Sequence, residues 1–338
     1  MNENLRADLR IIQSERKGKF ILYEELSPDS NKEWLIAGLL GHAEVSVIYG
    51  HPGSGKSAFA EDAALRVSAG EPVHGRPVRR GAVLYVALER RKLVERRALA
   101  FRAKHGLTEL PFAIIGGVLD LRDASQSQGV VSIAKEVEAE TGEATVLVVI
   151  DTLSRALSGG DENSPKDMGA IVKGAEIIRQ GTGAHVCLIH HMPKESENLR
   201  GHGALLGAAD TTILVSKGTA VRTATVIKAN DSEEGEKISF ELESVQVGSD
   251  GNTTAPVVIG AEPEAAISKP ARLTKNEQTM FELLHRAGPR GLTTNEWNEQ
   301  GKEAGLGHGR RADLHDARVG LERKGLAKVY VDHWTVKH

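Results

Sequence analysis

The chain of 338 residues is short of several things. It has one cysteine, Cys187, inside the apolar run His185–Ile189, so no internal disulfide can form. A small buried hydrophobe is the expected role of that thiol. No apolar run approaches the ~20 residues that a membrane helix needs, which predicts no membrane partner. The stretch Met1–Lys19 is charged and lacks the apolar core of an export signal, so a cytoplasmic location is expected. Charge of one sign is also missing. With a net charge of −3 there is no whole-chain basic field, and nucleic-acid binding would need a local patch or an assembly of copies. Internal repeats and low-complexity tracts are absent.

What is present is ordinary globular usage, 40% hydrophobic and 26% charged, at a length that suggests two domains, one larger. Within it, Gly50-His51-Pro52-Gly53-Ser54-Gly55-Lys56-Ser57 fills the pattern G-x-x-x-x-G-K-[ST]. The apolar run Val45–Tyr49 precedes it and the alanine-rich stretch Ser57–Leu65 follows, giving the strand–loop–helix context of a phosphate-binding loop. Glycines let the backbone curl until several N–H groups face phosphate oxygens, and the helix start adds its positive dipole end. Lys56 is expected to neutralise the β- and γ-phosphates of ATP, and the Ser57 hydroxyl to ligate Mg²⁺.

Residues 35–260 alternate short β-rich runs with helical stretches. The expected strands are Val45–Tyr49, Ala82–Leu88, Phe112–Ile115, Val146–Ile150, Val186–His190 and Thr211–Val215. Helical patterns such as Lys92–His105, Val130–Thr141 and Lys166–Gln180 lie between several of them. Near-continuous apolar strands separated by helices predict an α/β fold, a mostly parallel sheet covered on both faces. Arg222–Ala229 and Lys237–Val245 are expected as antiparallel strands extending one edge. Residues 261–273, rich in proline and alanine, are a linker.

Beyond the linker, 274–338 predicts three helices, over Thr274–Ala287, from Leu292–Glu296 onward, and over Arg310–Lys324. A hairpin over Leu326–Lys337 follows, making a winged helix with Trp297 and Trp334 in its core. From Ala271 onward twelve Lys/Arg outweigh nine acids, a net +3 that leaves −6 elsewhere.

Other residues complete the candidate site. The run Val146–Ile150 ends in Asp151, placed to hold a Mg²⁺-bound water opposite Ser57. Thr152 follows rather than a glutamate, so the general base must come from elsewhere. Glu89 ends a strand expected to lie beside the phosphate-loop strand, where it would reach a water in line with the γ-phosphate. Its alternative role is a salt bridge to Arg90 or Arg91. The strand Val186–Ile189 ends in His190-His191, candidate γ-phosphate sensors, with His191 preferred.

Phosphate loop, Glu89, Asp151-Thr152, and His190-His191 followed by Arg200–Leu205 through Ala208–Asp210 resemble one family in that order. It is the RecA-like ATPases of the plasmid RepA type, ring-forming replicative helicases related to the DnaB group. The resemblance covers roughly 34–245. It implies a RecA-like core, a homo-hexamer, ATP hydrolysis at subunit interfaces, and movement on single-stranded DNA through a central channel. The loops Leu157–Asp167 and Met192–Gly203 would face that channel. The chain departs from the pattern where an arginine finger is expected, since Asp210 stands there. Of a Lys-x-Arg pair on a late hairpin, Lys228-Ala229-Asn230 keeps only Lys228. Lys228 and Arg200 are the trans-acting candidates, and Arg200 could equally bind DNA backbone or pair with Glu195 or Glu197.

Lys194 and Arg200 are the DNA-contact candidates in the core. Arg310 and Arg311 open the third helix of the winged helix, where duplex DNA would be met, a docking or structural role being the alternative. Three functions compete on this reading. They are a DNA helicase or translocase serving replication of a mobile element, an ATP-switched DNA-binding regulator, and a loader or recombination mediator without unwinding activity.

Overall fold

A computed structural model describes Tyr23 and residues 31–192, 203–262, 273–307, 312–324, 326–330 and 332–336. Lys194, Arg200, Arg310 and Arg311 lie outside the described residues, as do most of residues 1–33 and of the linker 261–273. The chain forms two compact units, Met1–Glu264 and Ala265–His338.

The first unit runs β1 (Trp34–Ile36), β2 (Leu40–Gly41), β3 (Val45–Gly50), α1 (Lys56–Ala69), β4 (Ala82–Ala87), α2 (Arg91–His105), β5 (Phe112–Gly116) and α3 (Ala124–Thr141). It continues with β6 (Thr145–Asp151), α4 (Leu153–Ala156), α5 (Pro165–Thr182), β7 (His185–His191), α6 (Gly203–Ala208), β8 (Thr211–Lys217), β9 (Arg222–Ala229), β10 (Lys237–Gln246) and β11 (Thr254–Gly260). Among the described residues, nine strands make one sheet in the order β11-β10-β9-β8-β3-β7-β6-β4-β5. β8, β3, β7, β6, β4 and β5 are parallel, and β9, β10 and β11 extend the β8 edge antiparallel. The α/β class and the antiparallel extension are as expected from sequence.

Two apolar layers flank this sheet, because alternate strand residues point to opposite faces. On one side Ile48, Tyr85, Val149 and Ile189 pack with Phe59 and Ala64 of α1. On the other Val47, Leu84, Val148 and Leu188 pack with Val130 and Ala134 of α3 and Met168, Ile171 and Ile178 of α5. Both faces being covered explains why the central strands are apolar without alternation.

One expectation is overturned here. β4, which leads to Glu89, is not beside β3; β7 and β6 stand between them. The partners of β3 are β7 and β8. Strand order follows from crossovers that local pattern does not encode.

The second unit holds α7 (Lys275–Arg286), β12 (Leu292–Thr293), α8 (Thr294–Glu303), α9 (Ala312–Arg323), β13 (Ala327–Tyr330) and β14 (His333–Val336). Its strands form a three-stranded sheet in the order β12-β14-β13. Both helix starts that open α7 and α8 are capping boxes, Thr274 with Glu277 and Thr293 with Glu296. Trp297 and Trp334 lie in the core with ring centroids 5.3 Å apart. Their indole N–H groups donate to the Met280 carbonyl at 2.8 Å and the Thr294 hydroxyl at 2.9 Å.

Candidate functional site

The site forms where parallel strands end and their following helices begin, the usual crevice of a sheet of this kind. β3 delivers the chain to the loop Gly50–Gly55, and α1 starts at Lys56. Gly50 is required by crowding, since a Cβ there would collide with the Val215 carbonyl of the adjacent β8. Gly53 and Gly55 take φ of 78° and 97°, in the left-handed region that favours glycine. At α1 no side chain caps the helix start and no acid occupies its first turn. α2 and α4 share this, whereas α3, α5, α7 and α8 have a side-chain cap, from Asp123, Ser164, Thr274 and Thr293. The free N–H groups and dipole end of α1 are therefore left for an external anion.

One cavity gathers Gly53, Lys56, Ser57, Glu89, Asp151 and His191, together with Arg90 and Arg97. Lys56 is buried, and burial lowers its ammonium pKa while Asp151 and Glu89 hold it up. Its Nζ donates to the His51 carbonyl at 3.3 Å, a weak bond that a phosphate oxygen can replace. Ser57 Oγ donates to Asp151 Oδ1 at 3.2 Å. The two oxygens are thus paired at the tip of β6, as a shared Mg²⁺ and its waters require. Hydroxyl plus carboxylate is a donor set that fits this hard cation.

Asp151 is held from a second direction. Tyr85, fully buried on β4, donates its O–H to Asp151 Oδ2 at 2.9 Å. Burial raises the Asp151 pKa, and the bonds from Tyr85 and Ser57 counter that rise. Behind this pair Arg97 Nη1 meets Glu61 Oε2 at 3.1 Å, with the Glu61 side chain only 1% exposed. Burial pushes the Glu61 carboxyl up to about 8 against the pull of Arg97. Sequence reasoning missed Tyr85, Glu61 and Arg97. Glu61 lies four residues after Ser57 and so on the same face of α1, the one signal that pointed to it.

Glu89 reaches the cavity although its strand is not adjacent to β3. It follows the end of β4, whose neighbour β6 ends in Asp151, so the two carboxylates stand at adjacent strand tips. His191 Nε2 lies 3.5 Å from Glu89 Oε2, and Arg90 Nε lies 3.8 Å from Glu89 Oε1. His190, by contrast, is fully buried one residue before His191 and does not line the cavity. Of the trans-acting candidates, Lys228 Nζ donates to the carbonyls of Ala209 at 2.6 Å and Gly207 at 3.2 Å. Asp210, where the finger was expected, accepts from the Val45 N–H at 2.9 Å and from Asn230 at 3.0 Å, tying β9 to β3.

The AAA domain family model (AAA_25) matches residues 17–197, just over half of the chain and all of this cavity except Leu242. The chain belongs to that AAA-domain family. A comparison with curated proteins gave no match. Among solved structures, the crystal structure of the RadB recombinase is similar at 17% identity and a TM-score of 0.44. That likeness covers 60% of this chain and 88% of the other. Among the described residues of this AAA-family chain, no helix is long and apolar enough to cross a membrane.

Proposed function

We propose that the chain is a Mg²⁺-dependent ATPase that works on DNA as a RepA-type helicase or translocase. The single observation that carries the ATPase reading is the convergence of Lys56, Ser57, Asp151, Glu89 and His191 on one cavity beside an uncapped helix start. Ser57 and Asp151 would hold Mg²⁺, which neutralises charge on the β- and γ-phosphates. The loop N–H groups and Lys56 bind the triphosphate and fix its line of attack. Glu89 orients a water and takes its proton. His191, in contact with Glu89 and next to the chain entering Met192–Gly203, couples the γ-phosphate to that segment.

Action on single-stranded DNA rests on the resemblance of the ordered motifs to the RepA type, as does the ring of six. The second unit, three helices and a small sheet, fits a winged helix. A non-unwinding regulator or loader is the second reading, and one observation favours it: Lys228 is engaged with its own subunit's carbonyls.

The deciding experiment measures ATP hydrolysis with and without single-stranded DNA, and strand displacement on a forked duplex. The helicase reading expects DNA-stimulated turnover and displacement, both lost in Lys56→Ala. Stimulated turnover without displacement would move the assignment to the regulator or loader. No hydrolysis at all would remove the ATPase reading.

A further inference from the structure

The start of α2 is electrostatically odd. Arg90 is its N-cap residue, Arg91 and Lys92 are the next two, no acid lies in the first turn, and no side chain caps the helix. Cations at a helix N-terminus work against the dipole. Two of the three are compensated locally, since Glu95 accepts from Arg91 at 2.9 Å and from Lys92 at 2.8 Å. Arg90 is not compensated in that way. Among the described residues it reaches only Glu89, at 3.8 Å, beyond hydrogen-bond distance, with its side chain 73% exposed.

Arg90 also lines the nucleotide cavity. Among the described residues, three Lys and Arg side chains do so, and two are already committed. Lys56 belongs to the phosphate loop, and Arg97 is locked to the buried Glu61. The positions where a finger was expected hold Asp210 and Lys228, both engaged within their own unit.

We infer that Arg90 supplies the transition-state cation of this ATPase in cis, turning from Glu89 onto the γ-phosphoryl oxygens. The inference rests on the nucleotide reading above. In the step it serves, the oxygen of water bonds to the γ-phosphorus while the bond from phosphorus to the β–γ bridging oxygen breaks. Glu89 takes the proton of the water, and the bridging electron pair leaves with ADP. Charge gathers on the γ-oxygens and the bridging oxygen, where the planar fork of Arg90 donates two N–H bonds.

The test compares Arg90→Ala, Arg90→Lys and the exposed Arg96→Ala in steady-state hydrolysis across pH, with ADP binding by calorimetry. Arg90→Ala should lower kcat by ~10²–10³-fold, the loss typical of one transition-state donor. ADP affinity should stay within about threefold, because the lost interaction belongs to the transition state. Arg90→Lys should recover about tenfold, keeping the charge without the fork. Arg96→Ala should match wild type. An unchanged plateau rate with only the acid limb displaced would mean that Arg90 merely tunes Glu89, and would overturn the inference. So would restored activity on mixing Arg90→Ala with Lys56→Ala chains, since the arginine would then act in trans. A wild-type chain that bound no nucleotide would take both readings down together, whereas normal wild-type turnover with an unaffected Arg90→Ala defeats this one alone.

Discussion

The tips of β4 and β6 are adjacent in the sheet and each presents a carboxylate, Glu89 just past the end of β4 and Asp151 at the end of β6, yet they are built differently. At the β6 tip Asp151 is 7% exposed and both of its oxygens accept hydrogen bonds, from Ser57 and from Tyr85. At the β4 tip Glu89 is exposed and its neighbours His191 and Arg90 stand at 3.5 and 3.8 Å. A metal ligand must be fixed before the ion arrives, because reorganising a buried carboxylate during binding costs free energy. A base that follows a water through the reaction must move. On the proposed function, Asp151 is the candidate for binding and Glu89 the candidate for turnover.

The largest effect should come from testing that division directly. Glu89→Gln is expected to cut kcat by ~10²–10⁴-fold, the usual contribution of general-base catalysis, while Mg·ATP affinity measured by calorimetry stays near wild type. Asp151→Asn should instead weaken Mg²⁺-dependent nucleotide binding itself. If the two variants gave the same profile, the tips would not differ in function.

An intermediate effect should follow from loosening only the fixed tip. Tyr85→Phe keeps the ring and removes one hydrogen bond to a buried carboxylate, worth about 1.5–3 kcal/mol. The expected result is a roughly tenfold or greater rise in the Mg²⁺ concentration for half-maximal hydrolysis, because a wandering Asp151 holds the ion less well. Equal Mg²⁺ requirement in the variant and the parent would show that Ser57 alone suffices to orient the aspartate.

Much of the fixed tip was legible in the sequence, since the phosphate loop and the apolar strand before Asp151 are local patterns. Tyr85 was not, because a tyrosine in Ala82-Val83-Leu84-Tyr85-Val86-Ala87 looks like one more core residue. Only the pairing of β4 with β6, which sets Tyr85 beside Val149, brings its hydroxyl to Asp151. The sequence pattern puts the strand before Glu89 beside the phosphate-loop strand, whereas two strands stand between them, because strand order is a long-range property. β11 went unnoticed: Pro256 argues against a strand, and edge position on the sheet is what tolerates it. α3 begins six residues earlier than its apolar periodicity suggested, at a start set by the Asp123 cap.

The same contrast of fixed and responsive groups runs along β7, which has histidines at both ends, and it yields the smallest predicted effect. His185 is fully buried, with Nδ1 2.8 Å from the Gly41 carbonyl and Nε2 2.7 Å from Ser46 Oγ. Those contacts suit the neutral ring, with Nδ1–H donating to the carbonyl and the Ser46 hydroxyl donating to Nε2. Burial accordingly pushes the imidazole down to about 4, below its ordinary 6.5. The unfolded chain therefore binds the proton first, so this group's stabilising contribution is complete above about pH 6.5 and is lost as pH falls toward 4. Between pH 7 and pH 5.5 the loss should be about 1 kcal/mol. Urea unfolding of the parent and of His185→Gln at the two pH values measures it as the difference in pH dependence. A variant that lost stability on acidification as steeply as the parent would show that His185 is not the buried titrating group, and that β7 has no fixed end to set against His191.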